Sequence, residues 1–88
     1  MLDFASLKLG MIVAVTKQFG PQEVVGRLVA LIPAGAVPNK EAMQEHFARP
    51  PVPTRPSKYD RIVLTRRAGR AFVFALDKET RLEEVRTS

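Results

Sequence analysis

The four main apolar runs of this chain are short, rich in β-branched or aromatic side chains, and closed off by glycine, proline or charge. Met11-Ile-Val-Ala-Val-Thr16 follows Gly10 and stops at Lys17. Glu23 to Ile32 lies between Pro21 and Pro33, Arg61-Ile-Val-Leu-Thr65 is hemmed by charge, and Ala71-Phe-Val-Phe-Ala-Leu76 ends at Asp77. Runs of this length and composition are strands, and a strand cannot bury its apolar face alone. With 88 residues available, the reading is a single small domain, 1–88, mainly β.

Turn chemistry orders the runs. Arg67-Ala-Gly-Arg70 is a tight connection in which Gly69 can take positive φ, so the last two runs form a hairpin. Gly26, inside the second run, marks a bulge or sharp bend that lets one long strand serve two sheets. Lys17 to Gln22 is an open loop carrying Phe19. The expected core is Ile12, Val13, Val15, Val25, Leu28, Val29, Leu31, Ile62, Leu64, Phe72, Phe74 and Leu76. Asp77-Lys-Glu-Thr80 reads as one helical turn. Leu82 and Val85 beyond it suit either a continuing helix or a closing strand.

Residues 33–58 differ in kind and are read as an insertion between the second and third strands. Asn39 is a good N-cap, Glu41 falls in the first turn, and Met43 and Phe47 lie four apart on one face. That spacing predicts a helix over 40–48, docked through Met43 and Phe47, which Pro50 and Pro51 end. Four prolines in the nine residues from Arg49 to Ser57 then favour polyproline II, an extended strap of roughly 28 Å.

The order strand, open loop, bent strand, hairpin, turn and short last strand resembles the five-stranded SH3-like barrel. Leu7-Lys-Leu-Gly-Met-Ile-Val-Ala-Val15 is similar to the opening strand of its KOW and Tudor types, although Met11 stands where those carry a polar residue, commonly Asp, after the glycine. The resemblance implies a small barrel carrying the helical and Pro-rich insertion. The other architecture compatible with the pattern is α+β, with an antiparallel sheet and one or two covering helices.

Charge is concentrated. Residues 49–70 hold Arg49, Arg55, Lys58, Arg61, Arg66, Arg67 and Arg70 against Asp60 alone, while the segments on either side are close to neutral. Runs of charge are usually solvated surface. Here the cations share one sign, are mostly arginines suited to phosphate and carboxylate forks, and cluster at a hairpin tip. Arg55, Lys58, Arg61, Arg66, Arg67 and Arg70 are therefore the candidate anion-binding residues. Tyr59 and Phe19 offer little for base stacking, which favours contact with a nucleic-acid backbone at low sequence specificity. The rival partner is an acidic protein surface, gripped as mobile-element inhibitors and adaptors grip theirs. The proline strap also carries Arg-flanked PxxP spacings, the ligand type of aromatic grooves.

Catalytic chemistry finds no footing. His46 is the only histidine, Glu41 and Glu45 aim poorly at it from a shared helix, and there is no cysteine. No set of convergent metal ligands and no glycine-rich phosphate loop is present, so neither metal nor organic cofactor is expected. Plasmid-borne type II dihydrofolate reductases are SH3-like barrels of similar size whose pore strand resembles Val-Gln-Ile-Tyr. The corresponding Phe72-Val-Phe-Ala75 lacks both the glutamine and the tyrosine. A non-enzymatic binding module is the expectation. The absence of cysteine, of a signal-like N-terminus and of an ~18-residue apolar run leads to a soluble, cytoplasmic protein as the expected setting.

Overall fold

The computed structural model describes residues 2–17, 23–47, 53–66 and 69–85. A 3-10 turn, Phe4–Ser6, precedes β1 (Ile12–Lys17) and β2 (Val24–Ile32). Helix α1 (Lys40–His46) comes after them, then β3 (Arg61–Thr65), β4 (Ala71–Ala75) and β5 (Thr80–Glu84). All five strands join one antiparallel sheet in the order β4-β3-β2-β1-β5, with β4 and β5 at its two edges.

β2 does the work of two strands. Its first half pairs with β1, setting Val13 against Gly26, and its second half pairs with β3, setting Leu31 against Ile62. Between Leu28 and Ala30 the register shifts, so Val29 is the extra residue of a bulge. The bulge reverses which residues face inward: Gly26 and Leu28 before it, Leu31 after it. Val25 is consequently on the outside and 39% exposed, which corrects its assignment to the core. Gly26 is tightly enclosed, because a Cβ there would sit 2.9 Å from the Thr65 carbonyl oxygen and 3.1 Å from the Leu64 Cβ.

The sheet buries apolar side chains on both faces. On the inner face Leu7, Val13, Val15, Leu28, Ile62, Leu64 and Leu82 form the main core, with Phe74 and Leu76 packed against it. On the other face Ile32, Val63 and Met43 form a second cluster beneath α1, joined by Ala42 and Phe47. Met43 and Phe47 do dock the helix, and Asn39 caps it, its side chain accepting from the Ala42 N–H at 3.1 Å. The helix ends at His46, two residues short of expectation, with Phe47 as C-cap in extended backbone; Ala48 lies outside the described residues.

Other boundaries shift for local reasons. Ile12, Val29, Leu31, Phe72, Phe74 and Leu76 are only half-buried, the last three because β4 is an edge. Residues 77–80 form a turn rather than a helix, with the Asp77 carboxylate accepting from the Glu79 N–H at 3.0 Å. The chain then enters a strand rather than a helix: β5 pairs with β1, placing Leu82 opposite Val15 in the core. Among the described residues no helix is long and apolar enough to cross a membrane.

Candidate nucleic-acid interface

The candidate cations do not form one patch. Arg61 begins β3 and Arg66 comes just after its end, so five residues of extended chain, about 17 Å, separate them. Arg66 and Arg70 are both exposed where β3 turns into β4. The Arg66 N–H donates to the Arg70 carbonyl at 2.9 Å, and the Gly69 N–H donates to the Arg66 carbonyl at 2.8 Å. Gly69, at φ +82°, supplies the left-handed residue that this closure requires. Arg67 lies outside the described residues, as do Arg49 and Phe19.

At the opposite end of the hairpin, Arg55 and Lys58 are exposed on the strap. Arg61 is half-buried there, and its Nη2 donates to the Arg55 carbonyl at 2.5 Å. Its guanidinium is therefore committed to holding the strap. Further contacts tie the strap to the segment after β2. The Gly35 N–H donates to the Ser57 carbonyl at 2.8 Å, and the Asp60 carboxylate accepts from the Ala34 N–H at 2.7 Å. Lys58 Nζ sits 5.2 Å from the centre of the Tyr59 ring, so that exposed aromatic already carries a cation on its face.

One member of the tip escapes a reading based on charge along the chain. Arg27 is exposed on β2, opposite Thr65 and so at the same end of the sheet as Arg66, on the other face. Its signal is the alternation Val25-Gly26-Arg27-Leu28: if Leu28 is inside, Arg27 must be outside. Its significance needs the β2–β3 register, which sets residues 38 positions apart side by side.

The described charged side chains at this end are all guanidiniums, which stay protonated and carry donors only. No ion pair to Arg27, Arg66 or Arg70 is formed among the described residues, where the ion pair present joins Lys17 to Asp77 at 3.4 Å. His46 lies far from the tip in the chain, half-buried at the border of an apolar groove of about 350 Å³ that also takes in Leu9, Val37 and Met43. Among the described residues no group of three or more His, Cys, Asp or Glu is placed to hold a metal ion. Comparison with protein-family models, with curated proteins and with solved structures finds no match.

Proposed function

We propose that the chain is a small non-enzymatic binding module that contacts the nucleic-acid backbone through the β3–β4 tip, with low sequence specificity. The observation that carries this reading is the pair of exposed arginines, Arg66 and Arg70, that close the β3–β4 turn, with exposed Arg27 at the same end of the sheet and no acidic partner to any of them among the described residues. Exposed guanidiniums at one end of the sheet suit phosphates, which accept their planar forks. The occupied face of Tyr59 leaves little for base stacking, in keeping with contact to the backbone alone. The strap residues Arg55 and Lys58 are a separate, flanking contact, and Arg61 supports them from below.

The architecture suits an SH3-like small barrel in open form. Support for this comes from the strand order β4-β3-β2-β1-β5 and the bent β2 shared between its neighbours. In such a fold the hairpin tip projects beyond the core, free to enter a groove.

A salt titration tests the function. Contact by Arg27, Arg66, Arg67 and Arg70 alone implies log K falling with log salt at a slope of about −3.6 on duplex DNA, or about −2.8 on a single strand. Adding Arg55 and Lys58 steepens the duplex slope to about −5.4. No binding to either nucleic acid at low salt, together with a nuclease-resistant protein partner recovered from lysate, would replace this reading with the acidic-protein one.

A further inference from the structure

We infer that the free edge of β4 is a self-pairing surface, and that two copies of the chain join there about a two-fold axis through Val73. This inference does not depend on the nucleic-acid reading.

The two edges of the sheet differ. Natural edges are blunted with charge, proline or a covering segment, because unpaired main-chain groups recruit other strands. The β5 edge is protected in this way: Arg81, Glu83 and Glu84 are exposed on it, and the Leu2 N–H donates to the Leu82 carbonyl at 3.3 Å. The β4 edge is open along most of its length: among the described residues Ala71-Phe-Val-Phe-Ala75 has no charge and no proline, its ladder runs to β3 alone, and its open side is engaged only at the Ala75 carbonyl, by Lys17 and Thr80.

The hydrogen-bond pattern defines what that edge offers. In an antiparallel pair, bonded and non-bonded positions alternate. Arg66 donates to Arg70 at one end of the hairpin and Leu76 donates to Asp60 at the other, at 2.9 and 2.8 Å. Phe72 and Phe74 therefore direct their main-chain groups toward β3. Those of Ala71, Val73 and Ala75 point to the open side.

The sequence itself selects the occupant. Ala-Phe-Val-Phe-Ala reads the same in both directions. Antiparallel pairing centred on Val73 therefore sets like against like: Val73 faces Val73 of the second copy, each Phe72 faces a Phe74, and each Ala71 faces an Ala75. Such an interface is isologous and closes at two chains. The phenylalanines occupy non-bonded pairs, where side chains approach most closely, and they extend the stack already present in one chain, where the rings are 6.4 Å apart. At both ends Arg70 of each copy comes alongside Leu76 and Asp77 of the other, where Asp77 already pairs with Lys17 of its own chain. The basic tips of the two copies point in opposite directions, so they do not repel across the seam. Val73 supplies two main-chain bonds, and the Ala75 N–H groups supply two more by donating to the opposed Ala71 carbonyls. The Ala75 carbonyl keeps its own partners, Lys17 and Thr80.

Sedimentation of the full chain, combined with site-directed cross-linking, tests the inference. The chain contains no cysteine, so a single introduced thiol reports one position. Opposed Val73 residues would have Cα atoms about 5.5 Å apart, inside the span of about 4.4–6.8 Å that a disulfide bridges. Val73→Cys is expected to give a covalent dimer on mild oxidation, and Arg81→Cys, on the other edge, to stay unlinked. The unmodified chain is expected to sediment as a dimer that dissociates on dilution. Val73→Pro, which removes an N–H facing only the free edge, is expected to be a folded monomer. A chain that is monomeric at its highest soluble concentration overturns the inference. So does a dimer that links through Arg81→Cys and not Val73→Cys, or a β4 edge found paired only with a strand of a different protein. If Val73→Pro does not fold, the cysteine pair decides alone.

Discussion

The ammonium group of Lys17, at the end of β1, lies 2.9 Å from the main-chain carbonyl of Ala75, at the end of β4. These strands are not neighbours; β3 and β2 stand between them. One side chain can join them only because the sheet curls strongly on itself. Thr80 completes the junction, its hydroxyl lying 2.6 Å from Lys17 Nζ, 3.1 Å from the Ala75 carbonyl and 2.8 Å from an Asp77 carboxylate oxygen. A hydroxyl has one proton to give, so Thr80 donates to one of these acceptors while accepting from Lys17. The open edges of the sheet are thus pinned together at one end by polar groups.

Replacing Lys17 with Met should loosen this pin while keeping the aliphatic stem. Hydrogen bonds to charged groups contribute about 1.5–3 kcal/mol, and the Lys17 side chain is 34% exposed, which lowers the expected loss to about 1–2 kcal/mol. Chemical denaturation measures the loss, and amide exchange locates it. Protection should fall in β4 and β5 first. An unchanged exchange pattern there would mean that the junction holds nothing together.

Asp77 links the same junction to pH. The Thr80 hydroxyl, the Glu79 N–H and the Lys17 ammonium hold its carboxyl below the ordinary aspartate value, outweighing the opposing effect of burial. A carboxyl depressed in the folded state contributes stability above the unfolded value of about 3.9, and that contribution disappears as pH falls through the lower folded value. The unfolding midpoint in denaturant should therefore drop below about pH 4, and Asp77→Asn should flatten part of that dependence. Asp3, lowered by the Ser6 hydroxyl and N–H, supplies a share that remains. A carboxyl-carbon titration placing Asp77 at or above the ordinary value would contradict the hydrogen bonding.

Inward and outward positions on β2 separate sharply by mutation. Leu28 is fully buried, so Leu28→Ala should cost about 2–5 kcal/mol. Val25→Ala, three residues away in the same apolar run, should stay within about 0.5 kcal/mol. Equal losses at the two sites would mean the register is displaced by one residue.

This pair also shows what the sequence could and could not convey. Strand existence was legible from β-branched runs, and the β3–β4 hairpin from Gly69, because both are local properties of the chain. Burial along β2 was not legible, because Val24 to Ile32 is apolar nearly throughout and a bulge at Val29 reverses its alternation. Only Arg27 breaks the run, and it orients the first half alone. Leu7 joined the core unannounced, since a single leucine after a 3-10 turn carries no periodic signal. The spatial arrangement of the cations was not legible for a related reason. Arg61 and Arg66 are close in the chain, but an extended strand carries them to opposite ends, while Arg27 reaches the Thr65 end only through pairing.

Gly26 should resist any side chain. Its neighbour at 2.9 Å is the Thr65 main-chain oxygen, which the β2–β3 ladder holds in place. Gly26→Ala then forces the two strands apart, at an expected cost of about 1–3 kcal/mol in thermal or urea unfolding. A neutral or stabilised variant would show that the close approach of these strands is absent in solution.

The tip and the strap, split between the two ends of β3, should separate in binding as they do in space. Arg66→Ala with Arg70→Ala removes two exposed charges that touch no core residue, so the fold should persist and the duplex salt slope should become shallower by about 1.8. Adding Arg27→Ala should remove a further ~0.9, because Arg27 shares that end of the sheet. Arg55→Ala with Lys58→Ala removes as many charges from the strap, and under tip-only contact it should leave the slope unchanged. Arg61→Ala is the informative contrast. With its guanidinium donating to the Arg55 carbonyl, its loss should lower stability and free the strap while barely altering the salt slope. If instead Arg61→Ala reduces the slope as much as a tip arginine does, the anionic partner spans the whole length of the hairpin. The tip would then be one end of a longer contact.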